Sequence, residues 1–179
     1  PFTFAHQPGV VRFVELVQPL LRFKVAPLAM MARAAIPIGL PPEPIGKYLL
    51  NRDNVDDPVI RQALRSLVAD VPHGVLQQFV RWVSTGRFDA NDGFDYLAHL
   101  DAVKVPVLLV AGVRDFLAPP DAAHLAAKHL GGPVTELTVS LMSGFTYDAG
   151  HGDLVLARRA PDELFPRVAE FLAAHATHV

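Results

Sequence analysis

The sequence predicts an α/β fold, in which two parallel strands with flanking helices are preceded by a helical layer. Three observations carry that reading. Residues 107–111, opened by Pro106, are an apolar run too short for a helix and rich in valine, the composition of a strand buried on both faces of a parallel sheet. Residues 134–139 alternate, with Val134 and Glu136 set against Thr135 and Leu137, and read as a second strand. Residues 8–86 show apolar side chains at helical spacing and no convincing strand.

Taken in order, Pro8-Gly9 is a turn after an irregular start. Val10, Phe13, Val14, Val17, Leu20 and Leu21 then make one apolar stripe over 10–24, a helix bent or broken at Pro19. Residues 27–36 form a short apolar helix. Its face with Met30 and Met31 reads as core, with an acyl or alkyl pocket lining as the sharper alternative. The stretch PIGLPPEP at 37–44 is a loop, and 45–51 a short turn of helix. Asp57 as N-cap and Pro58 at the first position start a helix that follows the stripe Val59, Ile60, Ala63, Leu64, Leu67 and Val68 to Ala69. Pro72 starts another, closed by Gly86, and a short helix over 94–100 follows the turn Asn91-Asp92-Gly93.

In the second half, Gly112 ends the first strand and Asp115 lies in a turn closed by Pro119 and Pro120. Asp121 caps a helix over 122–130, which stops at Gly131-Gly132. The second strand feeds a loop containing His151. An apolar patch at 154–157 and a helix over 161–174 come next, with Leu164, Val168, Phe171 and Leu172 toward the sheet. The tail, 173–179, is frayed.

Composition narrows the chemistry. The 179 residues suffice for one core. A net charge of −2 with no basic stripe leaves no electrostatic footprint for nucleic acid. The absence of cysteine excludes disulfides, thiolate nucleophiles and cysteine metal sites. Prolines and charges interrupt every apolar run before the ~18 residues that a membrane span needs. No cofactor or metal is expected, because His, Asp and Glu do not cluster at ligand spacings such as H-E-x-x-H and no P-loop or G-x-G-x-x-G occurs. Asp56-Asp57 reads as a helix start, His73 as a structural or exposed histidine, and His175 and His178 as too few and too terminal for a metal tract.

Asp115 follows the carboxyl end of a strand, where ligands and catalytic groups sit in open α/β sheets. Taken alone it is an ordinary turn aspartate. His151, however, is held between Gly150 and Gly152 after the next strand, and those glycines allow a sharp bend that brings an imidazole to the neighbouring strand end. The competing reading is a histidine packed in a glycine-rich turn. An Asp after one strand and a His after the next are the acid and base of a triad in the order Ser…Asp…His. Asp148 and Asp153 are rivals for the acid, although both are very local to His151 in sequence.

These residues carry a family resemblance. The segment LLVAGVRDFLAPPDAAHLAAKHL resembles the penultimate strand and acid loop of α/β-hydrolases, and GHGDLVLARRAPDELFPRVAEFL resembles their histidine loop and final helix. The resemblance spans residues 95–179 and implies that this part is the C-terminal portion of an α/β-hydrolase core. Residues 1–94 are then the helical cap or lid inserted before the acid strand, covering the site and supplying most of the substrate pocket, with Pro1-Phe2-Thr3-Phe4 placed just after a preceding strand. It further implies a serine hydrolase of esterase or lipase type, with Asp115 as acid and His151 as base. The apolar cap points to an acyl or alkyl small-molecule substrate. Acyl transfer and epoxide or haloalkane hydrolysis share the Asp and His and differ in the nucleophile.

The nucleophile itself is missing. Ser66, Ser84, Ser140 and Ser143 are the serines, and none lies in G-x-S-x-G; Met142-Ser143-Gly144 is too close to His151 to be a nucleophile elbow, and no HGGG-type loop is present. In the family both come from the N-terminal half. That half is therefore the expected partner, and this chain alone is expected to be inactive. A start at Pro1 without methionine, 51% apolar residues and a mean hydropathy of +0.27 are what the later part of a longer protein would show. The alternative is a non-catalytic module whose exposed sheet edge and apolar cap serve self-association or partner binding.

Overall fold

The computed structural model describes residues 11, 14–15, 18–36 and 45–176. The expected loop at 37–44, the residues before Val11 and the end of the tail lie outside the described residues. The chain divides into two compact units: Pro1–Gly46 with Asp57–Ala98, and Lys47–Asp56 with His99–Val179. Residues 47–56, which the sequence places within the helical region, thus belong with the second unit.

In the first unit, a 3-10 turn (Gln18–Arg22) leads to β1 (Val25–Ala26) and α1 (Leu28–Ala35). Helix α2 (Ile45–Leu49) carries the chain into the second unit, and α3 (Asp57–Ser66), β2 (Val71–Pro72) and α4 (His73–Thr85) complete the first. The expectation of no strand here is corrected. β1 and β2 form a two-residue antiparallel pair, Val25 opposite Pro72 and Ala26 opposite Val71. A ladder of two residues has no alternation to read, and its partners are far apart in sequence. Among the described residues lie two small cores, Val14 and Val83 with Val11, Phe79 and Val80, and Ala26 and Leu76 with Leu20, Leu21, Leu28, Val71 and Val80.

Three further expectations for this unit are corrected. Met30 and Met31 are exposed and belong to no core among the described residues. Helix α3 stops at Ser66, three residues early, because Leu67 faces solvent and only Ile60 and Leu64 are buried. Asp57 is the first helical residue instead of the cap. Helix α4 ends as its sequence indicates, at Gly86 in the left-handed conformation (φ 68°), whose N–H reaches the Trp82 carbonyl.

The second unit is mixed α/β. Strands β3 (Val107–Gly112) and β4 (Val134–Val139) run parallel in continuous register, from Val107 opposite Val134 to Gly112 opposite Val139. Helix α5 (Pro120–Ala127) packs on both strands. Its cap position is Pro119 and no side chain caps it, so Asp121 lies inside the first turn instead of capping the helix.

The chain then forms α6 (Asp153–Leu156), α7 (Ala160–Glu163) and α8 (Phe165–His175). The single helix expected over 161–174 is broken at Leu164, since Pro166 has no N–H to offer the Asp162 carbonyl. Leu164 lies at that break, buried with Val139, Phe145, Tyr147, Ala149, Ala157 and Ala160, while Leu172, expected to face the sheet, is exposed.

Candidate active site

Both strands deliver their loops at the same end. β3 terminates at Gly112, and the next three residues turn so that the Asp115 N–H reaches the Gly112 carbonyl at 3.0 Å. Asp115 is buried, its side chain 2% exposed. Its Oδ1 accepts from the N–H groups of Leu117 and Ala118, both at 2.8 Å, which fixes the carboxylate plane. Its Oδ2 lies 2.8 Å from Nδ1 of His151, in the loop after β4.

The strand ends are brought this close by the absence of a side chain at Gly112. A Cβ there would lie 2.4 Å from the Ala149 carbonyl oxygen. The His151 loop thus rests on the end of β3, and the Ala149 carbonyl accepts from Arg114 N at 2.8 Å. The glycines that flank His151 serve a different purpose from the expected sharp bend, since neither has a positive φ. Their contribution is room: a Cβ on Gly152 would lie 2.7 Å from the Leu49 carbonyl oxygen, and one on Gly150 would lie 2.9 Å from the Asn51 nitrogen.

Electrostatics follow from this geometry. Burial alone would raise the Asp115 pKa, but the hydrogen bond from His151, the Ala118 and Leu117 N–H groups and the nearby imidazolium together hold it below its ordinary value. The His151 pKa is raised chiefly by the hydrogen bond to Asp115; burial opposes this, and the carboxylate's charge adds a smaller upward push. With Nδ1–H donated to Asp115, Nε2 carries the lone pair and has no hydrogen-bond partner among the described residues; the side chain is 48% exposed.

The rival carboxylates are engaged elsewhere. Asp148 accepts from Leu141 N at 2.9 Å and pairs with Arg114 Nε at 3.6 Å. Asp153 is fully buried and accepts three hydrogen bonds, from Asn51 N (2.8 Å), Asn54 Nδ2 (2.7 Å) and Gly150 N (2.9 Å). Neither hydrogen-bonds to the His151 ring.

Sequence reasoning missed Asn51, which it read as the end of a short turn of helix, and Asn54, which it left without a role. Their partners are about 100 positions away, and the only local hint was two asparagines within four residues.

No serine meets the histidine. Ser140 and Ser143 hydrogen-bond each other, Ser84 bonds to the Val80 carbonyl, and Ser66 accepts from Gln62. Exposed apolar side chains lie on the two strand-end loops, Val113 and Phe116 beside Asp115 in sequence and Leu141 and Met142 after β4. A separate polar cavity of about 290 Å³ is lined by Asp53, Asn54, Thr146, Tyr147, Ala157, Arg158 and Arg159.

Among the described residues no three His, Asp or Glu side chains gather to hold a metal ion, and no helix is long and apolar enough to cross a membrane. No family model, curated protein or solved structure matches the chain.

Proposed function

We propose that this chain carries the acid and base of a serine α/β-hydrolase acting on an ester or related acyl substrate. The observation that carries the reading is the 2.8 Å contact between Nδ1 of the half-exposed His151 and Oδ2 of the buried Asp115, at the ends of adjacent parallel strands. In this role Nε2 removes the proton from the nucleophile hydroxyl as its oxygen attacks the acyl carbon, and then gives that proton to the departing alkoxide. Water repeats the two steps to release the acid. Asp115 fixes the tautomer and stabilises the imidazolium without becoming protonated.

The serine and the oxyanion donors are assigned to an N-terminal half of the same hydrolase, as the partner of this chain. An apolar acyl or alkyl group is favoured as substrate by the exposed Val113, Phe116, Leu141 and Met142 on the two loops.

The test is turnover of p-nitrophenyl esters by the gene product from which this chain comes, with and without His151→Ala. Loss of about 10³- to 10⁶-fold in kcat is expected for removal of a triad base. Unchanged turnover in the variant would overturn the assignment.

A second reading has one observation in its favour. Among the described residues, β3 and β4 form a sheet of only two strands, and residues 107–110 of β3 are only half-buried where parallel strands are ordinarily covered on both faces. A non-catalytic module that pairs through this sheet would self-associate or capture a strand. Light scattering across a concentration series tests it, and a monomer at every concentration would count against self-association.

A further inference from the structure

We infer that Asn51 and Asn54, clamped onto the carboxylate of Asp153, are positioning residues that hold His151 against Asp115. The inference rests on the acid–base reading of that pair.

The loop around His151 is tied to residues 49–54 on both sides of the histidine. Before it, the Asp148 carbonyl accepts from Asn54 Nδ2 at 2.8 Å and from Asn51 Nδ2 at 3.3 Å. After it, Gly152 N donates to the Leu49 carbonyl at 2.7 Å. Asp153 completes the clamp: one oxygen accepts from Asn51 N, and the other from Asn54 Nδ2 and from Gly150 N within the loop itself. The two hydrogens of the Asn54 amide are thus both used, one on each flank of His151. A second tie lies just beyond, where Arg158 N donates to the Asn54 carbonyl and the Arg158 guanidinium donates to the Asp53 carbonyl and the Asp56 carboxylate.

A buried carboxylate is tolerated only when its oxygens are satisfied. Asp153 is satisfied wholly by N–H donors, and two of its three donors come from this distant segment. Removing them leaves an uncompensated charge in the same turn as His151, and the turn must open to hydrate it. The imidazole then leaves the reach of Asp115, because a hydrogen bond of 2.8 Å does not survive a displacement of about an ångström with its strength intact. The glycines on either side of His151 have the same meaning. Side chains there would push away residues 49–51.

NMR titration of the His151 ring on the whole chain separates positioning from mere stabilisation, since a loss of stability in a variant that stays folded does not move a side-chain pKa. The wild-type ring is expected to titrate above its ordinary value and to show a downfield Nδ1 proton, and Asp115→Asn to abolish both. Asn54→Ala and Asp153→Asn are each expected to shift His151 most of the way toward the Asp115→Asn value while the amide spectrum stays dispersed. Asn51→Ala, which keeps its backbone N–H on Asp153 and loses the 3.3 Å bond to the Asp148 carbonyl and the one that its Oδ1 accepts from Asp53 N, is expected to give a partial shift and carries the comparison if the harsher variants do not fold. Folded variants whose His151 titrates as in the wild type would overturn the positioning role and leave the acid–base reading standing. A wild-type His151 that titrates normally and ignores Asp115→Asn would overturn the acid–base reading itself.

Discussion

The Asp115–His151 contact has a consequence for stability that can be assigned a sign. His151 is held above its ordinary pKa of 6.5, so its charged form stabilises the fold at acid pH, and this contribution is lost as the pH rises through the raised value. Asp115 is held below 3.8, so its contribution is present above that pH and is lost as the pH falls through the lowered value. The two overlap in mildly acidic solution. Asp115→Asn should therefore lower the urea midpoint most at about pH 5 and less at about pH 2 or pH 9. The gap should be modest because the imidazole is half-exposed and screened by solvent. An equal gap at all three pH values would mean that the pair is not coupled in this way.

The same residue scale shows why the candidate pair was legible and its support was not. Asp115 and His151 each follow a strand and each lie in a loop with glycine or proline, signals that are local in sequence. Asp153 resembled a rival acid because it is close to His151 in sequence. Its burial and its donors from Asn51 and Asn54 are visible only in three dimensions.

Among the elements, the strands were the most legible. β4 has its expected bounds, Val134–Val139, although its burial does not follow the alternation, Thr135 and Glu136 both being exposed, and β3 extends one residue beyond its apolar run, to Gly112. Helix ends were less so, because burial and not pattern decides them. Leu67 and Leu172 continue an apolar stripe yet face solvent, and Pro166 splits one expected helix into two. The β1–β2 pair was invisible, since neither strand has enough residues to show a period.

The contact between β3 and the histidine loop makes a prediction at this scale. Gly112→Ala would place a methyl group against the Ala149 and Gly150 carbonyls, backbone that cannot swing aside. A loss of about 1–3 kcal/mol in unfolding free energy is expected, the usual cost of overpacking, measured by urea denaturation. A variant as stable as the wild type would show that the loop can lift from the strand end without cost.

At the scale of the whole molecule, the division of the chain is not a single cut. It leaves the first unit after Gly46, contributes residues 47–56 to the second, and returns at Asp57. Composition gave no sign of this, because 47–56 has the polarity of an ordinary connection. A fragment of residues 99–179 contains both strands, the acid and the histidine, yet lacks the Leu49, Asn51 and Asn54 groups that bond to the histidine loop. It should give a poorly dispersed amide spectrum, and adding a peptide of residues 47–56 should restore dispersion. A well-dispersed spectrum from the fragment alone would show that those contacts are dispensable for folding.

The separation between Asn51 and Asp153 also acts in time. The two are 102 positions apart, and at 5–20 residues per second a ribosome needs about 5–20 s to travel between them. Throughout that interval the nascent chain holds two asparagines whose acceptor has not yet been made, and the acid loop emerges before the carboxylate that locks its histidine partner. The histidine loop is thus a late event in the birth of this protein. Halting translation after Val139 and before His151 would leave both strands made and the acid without its base.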